Sequence, residues 1–157
     1  MKIKIDGWKS NLTFSSAHFL PDYSKCSRLH GHTYAVHVII EGNEKKDILV
    51  DFREIKKNIK KIIEELDHKI LIPTNGKLKI KKDKEIEIRY KDKRYIFPEE
   101  DCAMLPIYSS SAENLAMYIL KRFLELIKKD EIKFIEIGVD EGFGQGAWAK
   151  WEKEQCV

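Results

Sequence analysis

His30-Gly31-His32-Thr33-Tyr34-Ala35-Val36-His37-Val38-Ile39-Ile40 opens with two histidines one residue apart and runs on into β-favouring side chains. The run predicts a strand over His30 to Glu41 that begins at the histidines. Side chains two apart on a strand share a face, so His30 and His32 can converge on one ion, whereas His37, five residues after His32, points the other way. Upstream, Leu12-Thr13-Phe14-Ser15-Ser16-Ala17-His18 is a second β-type run that ends in a third histidine. An antiparallel pairing of the two runs would set His18 beside His30 and His32. Three neutral imidazoles with one open position match a catalytic zinc site.

Between the two strands, Leu20-Pro21-Asp22-Tyr23-Ser24 is turn-like and puts Cys26 on a loop close to the histidines. Cys26 has two readings that spacing leaves open. It closes a structural site as a fourth ligand, or it stands unligated as a thiolate favoured by Arg28 and a nearby dication.

Composition bounds the rest. The 157 residues are 43% hydrophobic and 35% charged, which suits one soluble domain with a sizeable core. No apolar run approaches the roughly 20 residues of a membrane span, and Met1-Lys2-Ile3-Lys4-Ile5-Asp6 alternates unlike a signal peptide. A cytoplasmic protein with no membrane partner is expected. A net charge of +3 is too small to point to nucleic acid. Three cysteines without a Cys-x-x-Cys pair exclude a disulfide framework as the organising device, and Cys102 and Cys156 read as bystanders.

Outward from the histidine strand, Lys2 to Trp8 and Asn11 to Phe19 read as one long first strand, and residues 42–46 as a turn. Asp51-Phe52-Arg53-Glu54 has capping-box spacing and starts a helix with Phe52, Ile55, Ile59, Ile62, Ile63 and Leu66 on one face and lysines on the other. The helix is expected to end near Leu66, leaving Asp67-His68 at its edge, where a carboxylate beside an imidazole can orient it for proton transfer. Residues 75–106 carry three short β-type runs and read as an inserted, exposed β-hairpin turned at Lys91-Asp92-Lys93. Ser110 and Glu113 repeat the capping-box spacing before a strongly apolar second helix in which Met117 reads as core. Two strands around Gly142, Gly144 and Gly146 close the chain, with Glu141 at the end of the first.

In this order, Phe14-Ser15-Ser16-Ala17-His18, Cys26-x-x-x-His30-Gly31-His32, Leu66-Asp67-His68, Ser111-Ala112-Glu113-Asn114-Leu115-Ala116 and Val139-Asp140-Glu141 resemble the 6-pyruvoyltetrahydropterin synthase and 6-carboxytetrahydropterin synthase family. The resemblance implies an α+β tunnelling fold (T-fold): an antiparallel sheet with two helices packed on one face, closed into a β-barrel by oligomerisation. It implies His18, His30 and His32 as zinc ligands, Cys26 as catalytic base, and Asp67 and His68 as a proton-relaying pair. Glu141 would anchor the pterin through a two-pronged contact, with Ser110, Ser111 and Glu113 lining its pocket. The implied substrate is 7,8-dihydroneopterin triphosphate, and the implied assembly is a homohexamer of two stacked trimers with sites at subunit boundaries.

The three-residue gap between Cys26 and His30 resembles the branch that forms 6-carboxy-5,6,7,8-tetrahydropterin, with release of acetaldehyde and triphosphate, on the route to the deazapurine nucleosides queuosine and archaeosine. The pyruvoyl-forming reaction, a side-chain cleavage giving 6-hydroxymethyldihydropterin, and a non-catalytic pterin- or metal-binding scaffold are the alternatives. The presence of Cys26 speaks against the hydroxymethyl-releasing variants. Two features depart from the family pattern: the length of residues 75–106, and Gly142 where many members carry threonine.

Overall fold

The computed structural model describes residues 1–43, 48–128 and 130–154. Most of the turn expected over residues 42–46, and Cys156, fall outside the described residues. The histidine strand, β3 (His30–Gly42), is the longest strand and the centre of the fold. On one side it pairs antiparallel with β9 (Ile132–Glu141), which pairs in turn with β10 (Gly146–Glu152). On its other side lie β1 (Lys2–Ile5) and β2 (Thr13–His18), both antiparallel to it. The single first strand expected from the sequence is therefore two pieces. Ile5 stands opposite Val38 and Thr13 opposite Ala35, with the chain between them turned out of the sheet. Gly7 allows that turn, because a Cβ there would lie 2.4 Å from the Val36 carbonyl oxygen.

Beyond β2 the sheet becomes parallel. β4 (Lys69–Pro73) pairs with β2, and β8 (Cys102–Leu105) with β4. The order β10-β9-β3-β2-β4-β8, with β1 beside β3, makes seven strands. The antiparallel sheet expected from the sequence is thus mixed at one edge.

Both helices cover the same face. α1 (Phe52–Glu64) starts at Asp51, whose carboxylate accepts the Arg53 N–H at 2.8 Å, satisfying one of the free donors at the helix start. Its apolar stripe, Ile55, Ile59, Ile62 and Ile63, is buried, and each such side chain contributes roughly 1.5–3 kcal/mol. Phe52 lies off that stripe and is 49% exposed. α2 (Ala112–Leu126) buries Leu115, Ala116, Ile119, Leu120 and Phe123 against Val36, Val38, Ile137 and Val139 of the sheet. Met117, expected in the core, faces outward at 44% exposure. The capping position of α2 is Ser111 and not Ser110, and its hydroxyl receives the Asn114 amide at 3.2 Å. Arg122 of α2 forks onto Glu65 at the end of α1 through bonds of 2.8 and 2.9 Å, tying the helices together.

The segment expected as a hairpin is a three-stranded antiparallel sheet: β5 (Lys79–Lys82), β6 (Glu85–Tyr90) and β7 (Lys93–Pro98). The β6–β7 pair is the anticipated hairpin, turned at Lys91. β5 adds a third strand, and Cys102–Leu105 rejoins the main sheet. One face is covered, because Ile86 and Ile88 form a second apolar cluster with Phe19, Ile72 and Leu78. Among the described residues, no helix is long and apolar enough to cross a membrane.

Candidate metal centre and adjoining cavity

The β2–β3 register sets His18 opposite His30, and His32 follows two residues along the same face. Their ligand nitrogens lie within 4.8 Å of one another, and among the described residues this cluster holds the three imidazoles alone. The Cys26 thiol is outside it. Cys26 is exposed, on a single 3-10 turn (Ser24–Ser27). The closed site with a thiolate as fourth ligand therefore finds no support in the geometry.

The donor chemistry fits a cation. His18 Nδ1 lies 2.9 Å from the Ser110 carbonyl oxygen, and His30 Nδ1 lies 2.7 Å from that of Arg28. Carbonyl oxygens only accept, so each Nδ1 carries the hydrogen and each Nε2 offers a lone pair. The two Nε2 atoms face each other at 3.2 Å. Two lone pairs at that distance repel unless a proton or a metal ion stands between them. A proton on His18 is disfavoured: burial, reinforced by His30 and His32 and only partly opposed by Ser110, pushes it down to about 4. A divalent metal would fit there, and His18, His30 and His32 could hold it.

Glu141, at the end of β9 and paired with Tyr34 of β3, brings Oε1 to 3.1 Å from His18 Nε2 and 3.6 Å from His32 Nε2. The Tyr34 hydroxyl faces the same oxygen at 3.5 Å, and burial, with the Glu141 charge next, drives its ionisation far above the normal range. Glu141 also lines a cavity of about 660 Å³ shared with Tyr23, Ser109, Ser111, Glu113 and Asn114. One carboxylate thus stands between the histidines and a space large enough for a bicyclic ligand. Ser111 and Glu113 lie in the cavity wall. Ser110 does not: it is fully buried, its hydroxyl donates to the Phe19 carbonyl, and its own carbonyl orients His18. Its contact is with the histidine cluster.

Asp67 and His68 are in contact, 2.9 Å from Oδ2 to Nδ1. Asp67 is held by the Ser15 amide at 2.7 Å, and His68, at φ 58, donates its backbone N–H to the Ser15 carbonyl. Burial pushes the Asp67 carboxyl up, but the Ser15 amide and His68 outweigh it and leave it below the usual range. His68 opens on a depression shared with His32 and Thr33, which Glu141 and Glu113 do not line. Within one chain, then, His32 and His68 border one depression and Glu141 borders the cavity.

His37 is outside the centre, as its position on the strand predicts. Its Nδ1 accepts the Gly7 N–H and its Nε2 donates to Asp140, which also receives the Trp8 indole N–H. Sequence reasoning missed Tyr34, Ser109 and Asn114. Tyr34 was within reach of it, since the alternation that pairs His30 with His32 puts Tyr34 on the same face.

The family model for 6-pyruvoyl tetrahydropterin synthase matches residues 8–154. A Methanocaldococcus jannaschii protein carrying the provisional name 6-carboxy-5,6,7,8-tetrahydropterin synthase is 38% identical over 154 residues, 94% of each chain. The 6-carboxy-5,6,7,8-tetrahydropterin synthase of Aquifex aeolicus is 30% identical over 83% of this chain and 80% of its own. The structure of Plasmodium falciparum 6-pyruvoyl tetrahydropterin synthase superposes with a TM-score of 0.90 at 31% identity, covering 98% of both chains.

Proposed function

The chain belongs to the 6-pyruvoyl tetrahydropterin synthase family, whose members are tetrahydropterin synthases of pterin metabolism, and from that premise we propose that it is a zinc-dependent 6-carboxytetrahydropterin synthase. Its substrate is 7,8-dihydroneopterin triphosphate, and its products are 6-carboxy-5,6,7,8-tetrahydropterin, acetaldehyde and triphosphate, in the route to queuosine-type deazapurines. One observation carries the reading: two imidazoles fixed in the ligand tautomer by backbone carbonyls converge beside Glu141 at the edge of the cavity.

His18, His30 and His32 hold the ion. Zinc bound there would supply Lewis acidity for the removal of protons from the substrate side chain. Glu141 accepts hydrogen bonds from the pterin amino and ring N–H groups, and Ser111 and Glu113 contact the ring system from the cavity wall. Cys26 takes a proton from the side chain on one side. On the other, His68 gives or takes a proton at Nε2 while Asp67 holds its Nδ1. His68 and Glu141 line different depressions of one chain, which supports a homohexamer whose subunit boundaries join them into one site.

The resemblance to the Plasmodium falciparum enzyme favours a second reading, a pyruvoyl product formed with loss of triphosphate alone. Incubation of the zinc-loaded protein with dihydroneopterin triphosphate separates the two. Acetaldehyde with a carboxypterin supports the first, a pyruvoyl pterin selects the second, and no turnover of the substrate rejects both.

A further inference from the structure

The inserted sheet meets the Cys26 loop through directional contacts. At the root of the loop, Phe19 is buried in the second apolar cluster and lies 5.2 Å from the Tyr95 ring of β7. The Asp22 carboxylate receives Lys77 at 2.6 Å, Lys91 at 2.8 Å and the Tyr90 hydroxyl. Lys93, at the start of β7, donates to the Ser27 carbonyl at 2.7 Å and faces its hydroxyl at 3.3 Å. The loop is closed at its neck by the Leu20 N–H on the Cys26 carbonyl at 2.7 Å.

The loop and the turn facing it hold three side-chain-bearing residues at positive φ. Asp22 and Ser24 have φ of 71 and 33, and Lys91 in the facing turn has φ of 53. Side-chain-bearing residues hold such values only where surrounding contacts enforce them. Some of those contacts lie within the loop, from Ser27 to Tyr23 and Ser24 and from Arg28 to Lys25, and the rest come from residues 77–93. Their reach is short: Ser27 follows Cys26 directly, and the next residue, Arg28, supplies the carbonyl that fixes the His30 tautomer. The lysines of this cluster are already engaged by Asp22 and Ser27, so a charge-compensated clamp describes them better than an open anion site.

We propose that the inserted three-stranded sheet is a positioning clamp for the Cys26 loop, with Lys93 and Asp22 as positioning residues that set the thiol and the carbonyl behind His30. The role given to Cys26 rests on the proposed function; the clamp itself does not. Exposed ion pairs add little to global stability, so loss of the clamp shows in placement and not in the unfolding transition.

The test compares wild type, Lys93→Met, Lys93→Arg and Asp22→Asn, all zinc-loaded, by turnover of dihydroneopterin triphosphate, thermal unfolding and amide hydrogen exchange. Lys93→Met and Asp22→Asn are expected to lower kcat roughly 10- to 100-fold with the unfolding midpoint unchanged, and in Lys93→Met, whose site lies off the cavity, with KM unchanged, as a misplacement of about 1 Å would. Exchange over residues 20–28 rises while β2 and β3 stay protected, and Lys93→Arg restores both readouts. Wild-type kcat and exchange in Lys93→Met and Asp22→Asn overturn the clamp, as does faster exchange spread through β2 and β3 with a lowered midpoint. If wild type turns over no pterin, the functional reading fails, and exchange over residues 20–28 still decides the clamp.

Discussion

His18 makes the stability of the metal-free protein depend on pH in a window of its own. The imidazole is held at about 4 in the folded chain against 6.5 when free, with burial as the main cause. Between those values the unfolded chain binds more protons than the folded one, so stability rises with pH, is complete above about 6.5, and is lost as pH falls toward 4. At pH 5 the unfolded form gains about 2 kcal/mol from protonating His18 that the folded form does not, relative to pH 8. Denaturant titrations of metal-stripped protein at pH 8 and pH 5 measure the difference. His18→Asn, which keeps a donor for the Ser110 carbonyl, is the control. The wild type is expected to lose about 2 kcal/mol more than the variant over this interval. Equal losses in the two proteins would refute the claim that His18 is kept neutral by its surroundings.

Glu141→Gln removes the charge from the contact proposed for the pterin and is expected to weaken dihydroneopterin binding about 10- to 100-fold by calorimetry, with zinc content unchanged. Cys26→Ala is expected to lower kcat by about 10²- to 10⁴-fold while zinc by elemental analysis stays at wild-type level, because the thiol lies outside the imidazole cluster. Gly142→Thr puts a β-branched side chain where φ is +80, so a loss of roughly 1–2 kcal/mol in denaturant unfolding is expected.

The centre of the fold was legible because β3 alternates cleanly over thirteen residues, and the same alternation that buries Tyr34, Val36 and Val38 delivers His30 and His32 to one face. The two helices were legible from isoleucine and leucine spacing. What escaped reading has identifiable causes. β4 and β8 are five and four residues long and pair in parallel within the sheet, so they carry little alternation to detect. Ser110 looked like a cap or a pocket residue, but it acts through a backbone carbonyl, which side-chain chemistry does not advertise. Met117 sits on the outer face of a helix with too much apolar surface for spacing to tell its faces apart. The third inserted strand rests on Ile80 alone between lysines, and only its packing beside Ile86 and Ile88 makes it a strand.

The coordination shell of the zinc-loaded protein tests the central claim most directly. X-ray absorption at the zinc edge is expected to give three imidazole nitrogens and a light atom at about 2.0–2.1 Å, with the imidazole multiple-scattering pattern. A sulfur shell at about 2.3 Å would place Cys26 on the metal and contradict the open three-histidine centre.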